Sequence, residues 1–231
     1  MSDVGPGAGA VSQVAPSAVA PVNAVAMADP PIPISRVTGL QDALDAVSGV
    51  DLSTVVPKGR YRSEYIDAAA MAPADTNGAT TSKIETTTNK NIADRYLFDG
   101  ATAQSVYFKF TFDDVWNRGA IRARAYWDAA TGGSGGVTWG ISAYAFSDSD
   151  VIDTAMGTEA TTSDTVIAVG DVHITPSALV TIGGGPALGD IIIFRIRRLP
   201  SDANDTMTQQ AALMGVEIQW AEGSTEPVVW A

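Results

Sequence analysis

The chain has no cysteine and a single histidine among its 231 residues. Disulfides and thiolate metal sites are therefore excluded, and cysteine usage gives no information about the redox compartment. One imidazole, that of His173, is too few for a zinc site built from several His and Cys ligands. We predict no bound cofactor. Hydrophobic residues make up 45% of the chain, which is enough for a sizeable core.

Basic residues are also scarce. Lys and Arg number 14 against 26 Asp and Glu, so the formal net charge is −12. A nucleic-acid ligand needs a basic surface to neutralise its phosphates, and we therefore expect no nucleic-acid partner. An acidic surface of this kind more often serves solubility and mutual repulsion.

The sequence begins without a long uninterrupted apolar run. Pro6, Pro16 and Pro21 divide the Ala- and Val-rich start, and no Lys or Arg precedes Arg36. We therefore expect neither a secretory signal nor a membrane-inserted helix. Residues 1–33 are interpreted as an extended, polyproline-like arm that either docks on a partner or remains a free tail, and we favour docking.

A short helix is predicted over residues 34–50. Its apolar stripe is too short to be stable alone, so it should bury that stripe against other copies of the chain, as an oligomerisation collar. Gly39 weakens the helix by about 1 kcal/mol, and the alternative is a turn at Thr38-Gly39 followed by a helix over residues 40–47. The predicted oligomerisation residues are Ile34, Val37, Leu40, Leu44 and Val47.

The remainder, residues 51–231, is predicted to be mainly β, as an antiparallel β-sandwich of the jelly-roll type, with a closed barrel as the alternative. In residues 106–112 apolar side chains alternate with Lys109 and Thr111, which is typical of a half-buried strand. Signals over residues 55–99, which include Tyr61 and Tyr65, are weak. Further strands are predicted at 80–88, 96–98, 121–127, 137–146, 165–169, 172–174, 180–182, 191–198 and 213–220, one helical turn at 148–157, and hairpin loops at 132–136 and 183–185.

Motifs for catalysis are missing. His173 has no Gly-x-Ser-x-Gly nucleophile elbow to serve, and it alternates with apolar neighbours, so a packing or surface histidine is favoured. The glycine clusters lack the Lys-Ser/Thr of a phosphate loop. A pair of carboxylates for glycoside hydrolysis has no motif to support it. We predict that the protein is not an enzyme.

One acidic segment partly fits a calcium loop. Asp148, Asp150 and Glu159 stand at positions 1, 3 and 12 of that pattern. Ile152 takes the fifth position, however, and Asp153 stands where the pattern requires glycine. These departures favour a solvated acidic loop or a helix start, and calcium binding at Asp148, Asp150 and Asp153 stays open.

Two groups of side chains suggest binding surfaces. Alternation places Arg195 and Arg197 on one side of their strand, either as a solvated face or as a subunit interface that meets a neighbour's carboxylates. The chain's main group of basic residues also includes Arg122, Arg124 and Arg198. The second group is a possible sugar-stacking platform, although alternation favours core packing for Trp127 and Trp139. Its members are Trp116, Trp127, Trp139 and Tyr144.

Residues 34–45 read ISRVTGLQDALD, which resembles the I-x-x-V-x-G-L-Q-x-A-L-D segment of tailed-phage fibre and appendage proteins, where it commonly precedes a trimeric β-rich domain. Residues 58–222 resemble a C-terminal domain of phage structural proteins. The resemblance implies a homotrimeric virion surface protein, and our first interpretation is a head fibre or decoration on the capsid, anchored to capsid or tail proteins by residues 1–33. The alternative is a tail-fibre module that recognises a host surface glycan. The second resemblance rests on Thr76–Ala79, Phe98-Asp99, Trp116-Asn117, Gly135–Gly140, Asp164-Thr165, His173–Thr175 and Asp190–Arg197.

Overall fold

The computed structural model of the protein describes residues 60–130 and 132–223. This part of the chain is almost entirely β-structure, with one 3-10 turn, Ala68–Ala70, capped by the Asp67 carboxylate. None of its helices is long and apolar enough to cross a membrane. Its strands are β1 (Tyr61–Asp67), β2 (Ala72–Pro73), β3 (Thr80–Glu85), β4 (Ile92–Phe98), β5 (Ser105–Phe110), β6 (Ile121–Ala129), β7 (Gly136–Phe146), β8 (Ala160–Thr165), β9 (His173–Ile174), β10 (Ala178–Val180), β11 (Ile182–Gly183), β12 (Ile191–Arg198) and β13 (Ala211–Ala221).

The strands form two sheets. Sheet A has the order β10-β6-β13-β4-β3, with β1 added beside β13 and β9 beside β6. Sheet B has the order β11-β7-β12-β5-β2, with β8 added beside β7. Strand pairing is antiparallel apart from β11 with β7. Chain connections repeatedly cross from one sheet to the other, so the predicted jelly-roll-like β-sandwich is confirmed and the closed barrel is wrong.

Aromatic side chains join the two sheets in one core. Trp139 of sheet B contacts Phe98 and Trp127 of sheet A, with ring centroids 5.0 Å and 6.5 Å apart. Phe108 stacks on its ladder neighbour Phe194 at 4.6 Å. The alternation predicted for residues 106–112 is confirmed, because the apolar side chains point into this core. Burial of these rings, together with the aliphatic side chains around them, stabilises the sandwich.

Four local predictions are wrong. The strand predicted at 180–182 is interrupted at Thr181, because β10 ends at Val180 in sheet A and β11 begins at Ile182 in sheet B. Residues 148–157 form turns and bends with no helix. The strand predicted at 165–169 lies earlier, as β8, because polar β-branched threonines pair with β7 while Ile167 is left 87% exposed in a loop. Neither glycine cluster closes a hairpin. Residues 132–136 lead from sheet A to sheet B, and residues 183–185 begin the connection from β11 to β12, which pair with opposite edges of β7. The predicted arm, residues 1–33, and the collar, residues 34–50, lie outside the described residues.

Candidate functional site

The outer side of sheet A carries a group of tyrosines among charged side chains. Strand alternation directs every second residue of β1, β6 and β13 away from the core. The pairing of β1 with β13 places Tyr65 beside Glu217, and the pairing of β13 with β6 places Glu217 beside Arg124. Tyr61 is 63% exposed and Tyr65 is 44% exposed. We call this surface the tyrosine face; its members are Tyr61, Tyr65, Arg122, Arg124, Tyr126, Glu217 and Gln219.

Tyr65 is held in place by its neighbours. Its hydroxyl donates to the carbonyl oxygen of Met214 at 3.1 Å. The ring of Tyr126 meets it edge-on, with centroids 5.2 Å apart and an interplanar angle of 89°. A Cβ on Gly215 would lie only 2.3 Å from the Tyr65 hydroxyl, so the close approach of this ring requires glycine. The tyrosine is therefore preorganised, and binding would cost little side-chain entropy.

Glu217 ties the charged part of the face together. Its Oε2 accepts from Arg124 Nε at 2.6 Å and from the Tyr126 hydroxyl at 2.8 Å. The Arg124 guanidinium also lies 5.5 Å from the Tyr126 ring centroid. Burial raises the pKa of Glu217, but the hydrogen bonds from Tyr126 and Arg124 and the charge of Arg124 outweigh it and leave the pKa below its ordinary value. The carboxylate is thus an ionised acceptor, which does not suit a general acid.

Two adjoining depressions lie beside this network. One, of about 160 Å³, is lined by Arg124, Glu217 and Ser177, and the other, of about 210 Å³, by Tyr61 and Leu179. Arg122 and Gln219 line both, so the depressions form one shallow trough across the strands. Arg122 makes a 3.4 Å hydrogen bond to Ser177. The trough therefore combines donors and acceptors with apolar surface, an arrangement suited to recognition.

The other candidate residues lie elsewhere. His173 is buried, with its ring 4.7 Å from Trp127 and Nε2 3.2 Å from the Ala168 carbonyl oxygen, which confirms a packing histidine. The buried positions of Trp127 and Trp139 confirm that these two tryptophans belong to the core, and Trp116 is buried as well.

The acidic segment makes contacts of its own. Asp150 accepts from the backbone N–H of Ser147 at 2.8 Å, and Glu159 turns away to Arg197. Over residues 60–130 and 132–223, no three His, Cys, Asp or Glu side chains lie close enough together to hold a metal ion.

The strand β12 directs its arginines to opposite sides. Arg195 and Arg197 lie on the outer side of sheet B, as predicted, and both approach Glu159 of the same chain. Arg198 is fully buried, where its guanidinium bonds to Asp205, with Nη2 2.8 Å from Oδ1 and Nε 2.9 Å from Oδ2. Arg198 lies two residues after the apolar Ile196, and residues two apart share a side of a strand, so the sequence already indicated this inward position.

Sequence reasoning missed the tyrosine face. The alternation of Arg122, Arg124 and Tyr126 does place these three on one side of a strand. Their neighbours Tyr61 and Tyr65 stand more than fifty residues earlier, in the segment with weak strand signals. Only the pairing of β1 with β13 brings the two sets together.

No family model and no curated protein matches the chain. Among solved structures, it is similar to the N-terminal modules of an endo-1,4-β-D-xylanase of Clostridium thermocellum complexed with xylohexaose: 12% identity, TM-score 0.38, over 74% of this chain and 29% of that chain. It is also similar to a xylan-binding domain of Paenibacillus barcinonensis: 10% identity, TM-score 0.40, over 68% and 98%. A family 11 carbohydrate-binding module of C. thermocellum gives 11%, 0.39, 73% and 98%. At these TM-scores and identities the matches carry no argument about ligand.

Proposed function

We propose that the protein is a non-catalytic virion surface protein whose β-sandwich binds a host surface glycan through the tyrosine face. The observation that carries glycan binding is the edge-on contact of Tyr65 and Tyr126 beside a fixed Arg124–Glu217 pair, with Tyr61 lining the adjoining trough. The virion setting rests on the resemblance of residues 34–45 to phage appendage proteins.

A sugar ring matches this surface chemically. Its C–H faces are apolar and pack on an aromatic ring, while its hydroxyls both donate and accept hydrogen bonds. Tyr65 offers a positioned ring, and Glu217 and Gln219 offer acceptors in the adjoining trough. The ionised state of Glu217 keeps it an acceptor at neutral pH. Binding and not bond cleavage is the chemistry that this arrangement supports.

The proposed display of the module rests on the sequence alone. Residues 1–33 anchor the chain on the virion, with the capsid head as our first choice of site, and residues 34–50 gather three copies. A trimer presents three tyrosine faces, so weak single-site affinity is multiplied when a glycan-covered surface engages them together.

A head decoration without a glycan ligand is the second candidate. The motif in residues 34–45 favours it, because that resemblance concerns assembly and does not require recognition. The decoration function needs residues 1–33 but not the tyrosine face. A variant that no longer binds glycan but is still incorporated into virions would separate the two functions.

The test is glycan-array binding by the full-length protein and its Tyr65→Ala variant. We expect at least about a tenfold loss of affinity, since a stacked aromatic contact is worth on the order of 1.4 kcal/mol. Tyr144→Ala is the matched control, because Tyr144 is a partly buried tyrosine on the outer side of sheet B. Equal binding by Tyr65→Ala and the unmodified protein would rule out the tyrosine face.

A further inference from the structure

Arg122 stands in the middle of the trough on the tyrosine face. It lines both depressions, the one of about 160 Å³ and the one of about 210 Å³. Its side chain is exposed, and so are those of Tyr61 and Leu179 beside it, at 63% and 59%. A ligand that enters the trough therefore reaches the Arg122 guanidinium directly from solvent.

The cross-strand neighbours of Arg122 are neutral. It pairs with Gln219 on one flank and with Leu179 on the other. Its hydrogen bond to Ser177 is long, at 3.4 Å, and within the described part of the chain it forms no ion pair. Arg124, the next outward residue of the same strand, is paired instead with a carboxylate. The guanidinium of Arg122 thus keeps most of its donors for a ligand.

The carboxylate in the trough does not balance Arg122. Glu217 Oε2 already accepts from Arg124 and from the Tyr126 hydroxyl. Two guanidinium groups and one carboxylate line the smaller depression, so one positive charge is unbalanced there, on a protein whose net charge is −12. Arg122 and Arg124 lie two residues apart on the same side of β6, and their charges repel each other. An anion between them would relieve this repulsion.

The larger depression offers a place for a sugar ring beside this charge. Tyr61 and Leu179 supply apolar surface, and Gln219 supplies an amide that both donates and accepts hydrogen bonds. The C–H face of a sugar packs on such an aromatic ring while a substituent of the same sugar extends to Arg122. Carboxylate and sulfate groups each present two oxygens to the paired donors of a guanidinium.

We infer that the glycan recognised by the tyrosine face is acidic, and that Arg122 binds its carboxylate or sulfate group. The inference rests on the proposed function, because it concerns the ligand of the same surface. Aromatic and hydroxyl contacts are the same for a neutral and an acidic sugar, so Arg122 is the residue that sets the specificity. The acidic remainder of the protein opposes an anion only weakly, because physiological salt screens charges that are more than about 8 Å apart.

The test compares oligosaccharides that differ only in charge. The full-length protein is titrated by isothermal calorimetry with hexagalacturonate and its methyl ester, and with sulfated and unmodified cellohexaose. We expect the charged member of at least one pair to bind at least about tenfold more tightly, since charge-assisted hydrogen bonds are the stronger kind. A preference confined to the first pair assigns the acidic group as a carboxylate, and a preference confined to the second assigns it as a sulfate.

Three variants assign the preference to Arg122. In Arg122→Gln the ratio of charged to neutral affinity should fall to about one, because the guanidinium is its source. Arg122→Lys should keep part of the ratio, since lysine retains the charge but loses the paired donors. Lys109→Gln is the matched control: it removes one positive charge from an exposed residue on the outer side of sheet B, and the ratio should stay as in the unmodified protein.

Three results would overturn this inference and leave the proposed function standing. The first is equal binding of the charged and neutral members in both pairs. The second is a full preference retained by Arg122→Gln. The third is hexaglutamate binding as tightly as the charged oligosaccharides, because an acidic protein segment would then satisfy Arg122 equally well. Failure of the proposed function gives a different result, in which none of the oligosaccharides binds, neutral or acidic, and both proposals are lost together.

Discussion

The arginines on the two outer sides of the sandwich differ in their carboxylate partners. On the outer side of sheet A, two arginines each pair with a carboxylate of their own, Arg124 with Glu217 and Arg95 with Asp128. On sheet B Arg195 and Arg197 share Glu159. Matched pairs are complete within the chain and hold their surroundings in place. Arg195, the unmatched arginine, contributes little to stability, because its Nη2 reaches Glu159 Oε2 only at 3.5 Å.

The largest effect should come from breaking the buried matched pair. In Arg95→Met, Asp128 loses its partner while both side chains of the native pair are nearly nine-tenths buried. We expect a loss of about 3 kcal/mol in the free energy of unfolding at pH 7, measured by urea denaturation. Lys83→Met is the control, since the Lys83–Asp94 pair is exposed and should contribute at most about 0.5 kcal/mol.

The loss in Arg95→Met should also depend on pH. Burial raises the pKa of Asp128, and Arg95 opposes that shift in the native protein. A carboxyl whose folded pKa lies above its unfolded value loses stability as pH rises between the two. Below the unfolded pKa the carboxyl is neutral in both states, so the difference between variant and native protein should shrink in acid. A loss that is constant with pH would contradict this cause.

A smaller effect is expected from the matched pair on the tyrosine face. Because Arg124 is 43% exposed, Glu217→Gln should cost at most about 1 kcal/mol at pH 7 after allowance for solvent screening. The pKa of Glu217 is depressed in the fold, so its contribution exists above the unfolded pKa and disappears as pH falls through the folded pKa. Thermal denaturation of both proteins should therefore converge at low pH, and divergence there would count against the pair.

The smallest effect should come from the unmatched arginine. Arg195→Met keeps the aliphatic stem and removes a charge that has a poor partner, so the free energy of unfolding should stay within about 0.5 kcal/mol or rise. Urea denaturation without added ligand measures it. A loss comparable to that of Arg95→Met would mean that the two sides of the sandwich do not differ in this respect.

The sequence predicted the strands better than the surfaces. Strong alternation located β5, β7, β12 and β13, because one-sided burial leaves a period of two in the residues. The tyrosine face needed the pairing of chain segments far apart, for which local alternation carries no information. The sharing of Glu159 by Arg195 and Arg197 was likewise hidden, since Glu159 lies in a loop that the calcium pattern had suggested for another role.

The position of β1 has a mechanical consequence. It begins directly after residue 60, carries Tyr61 and Tyr65, and forms its ladder with β13. If residues 1–33 hold the virion and these tyrosines hold a host surface, tension passes between the two attachments through this one strand. Tyr61 pairs with Ala221 at the end of the ladder, so traction on residue 60 that is directed away from the sheet opens hydrogen bonds one after another from that end. Under load, the contact would yield by peeling of β1 before the aromatic core is strained.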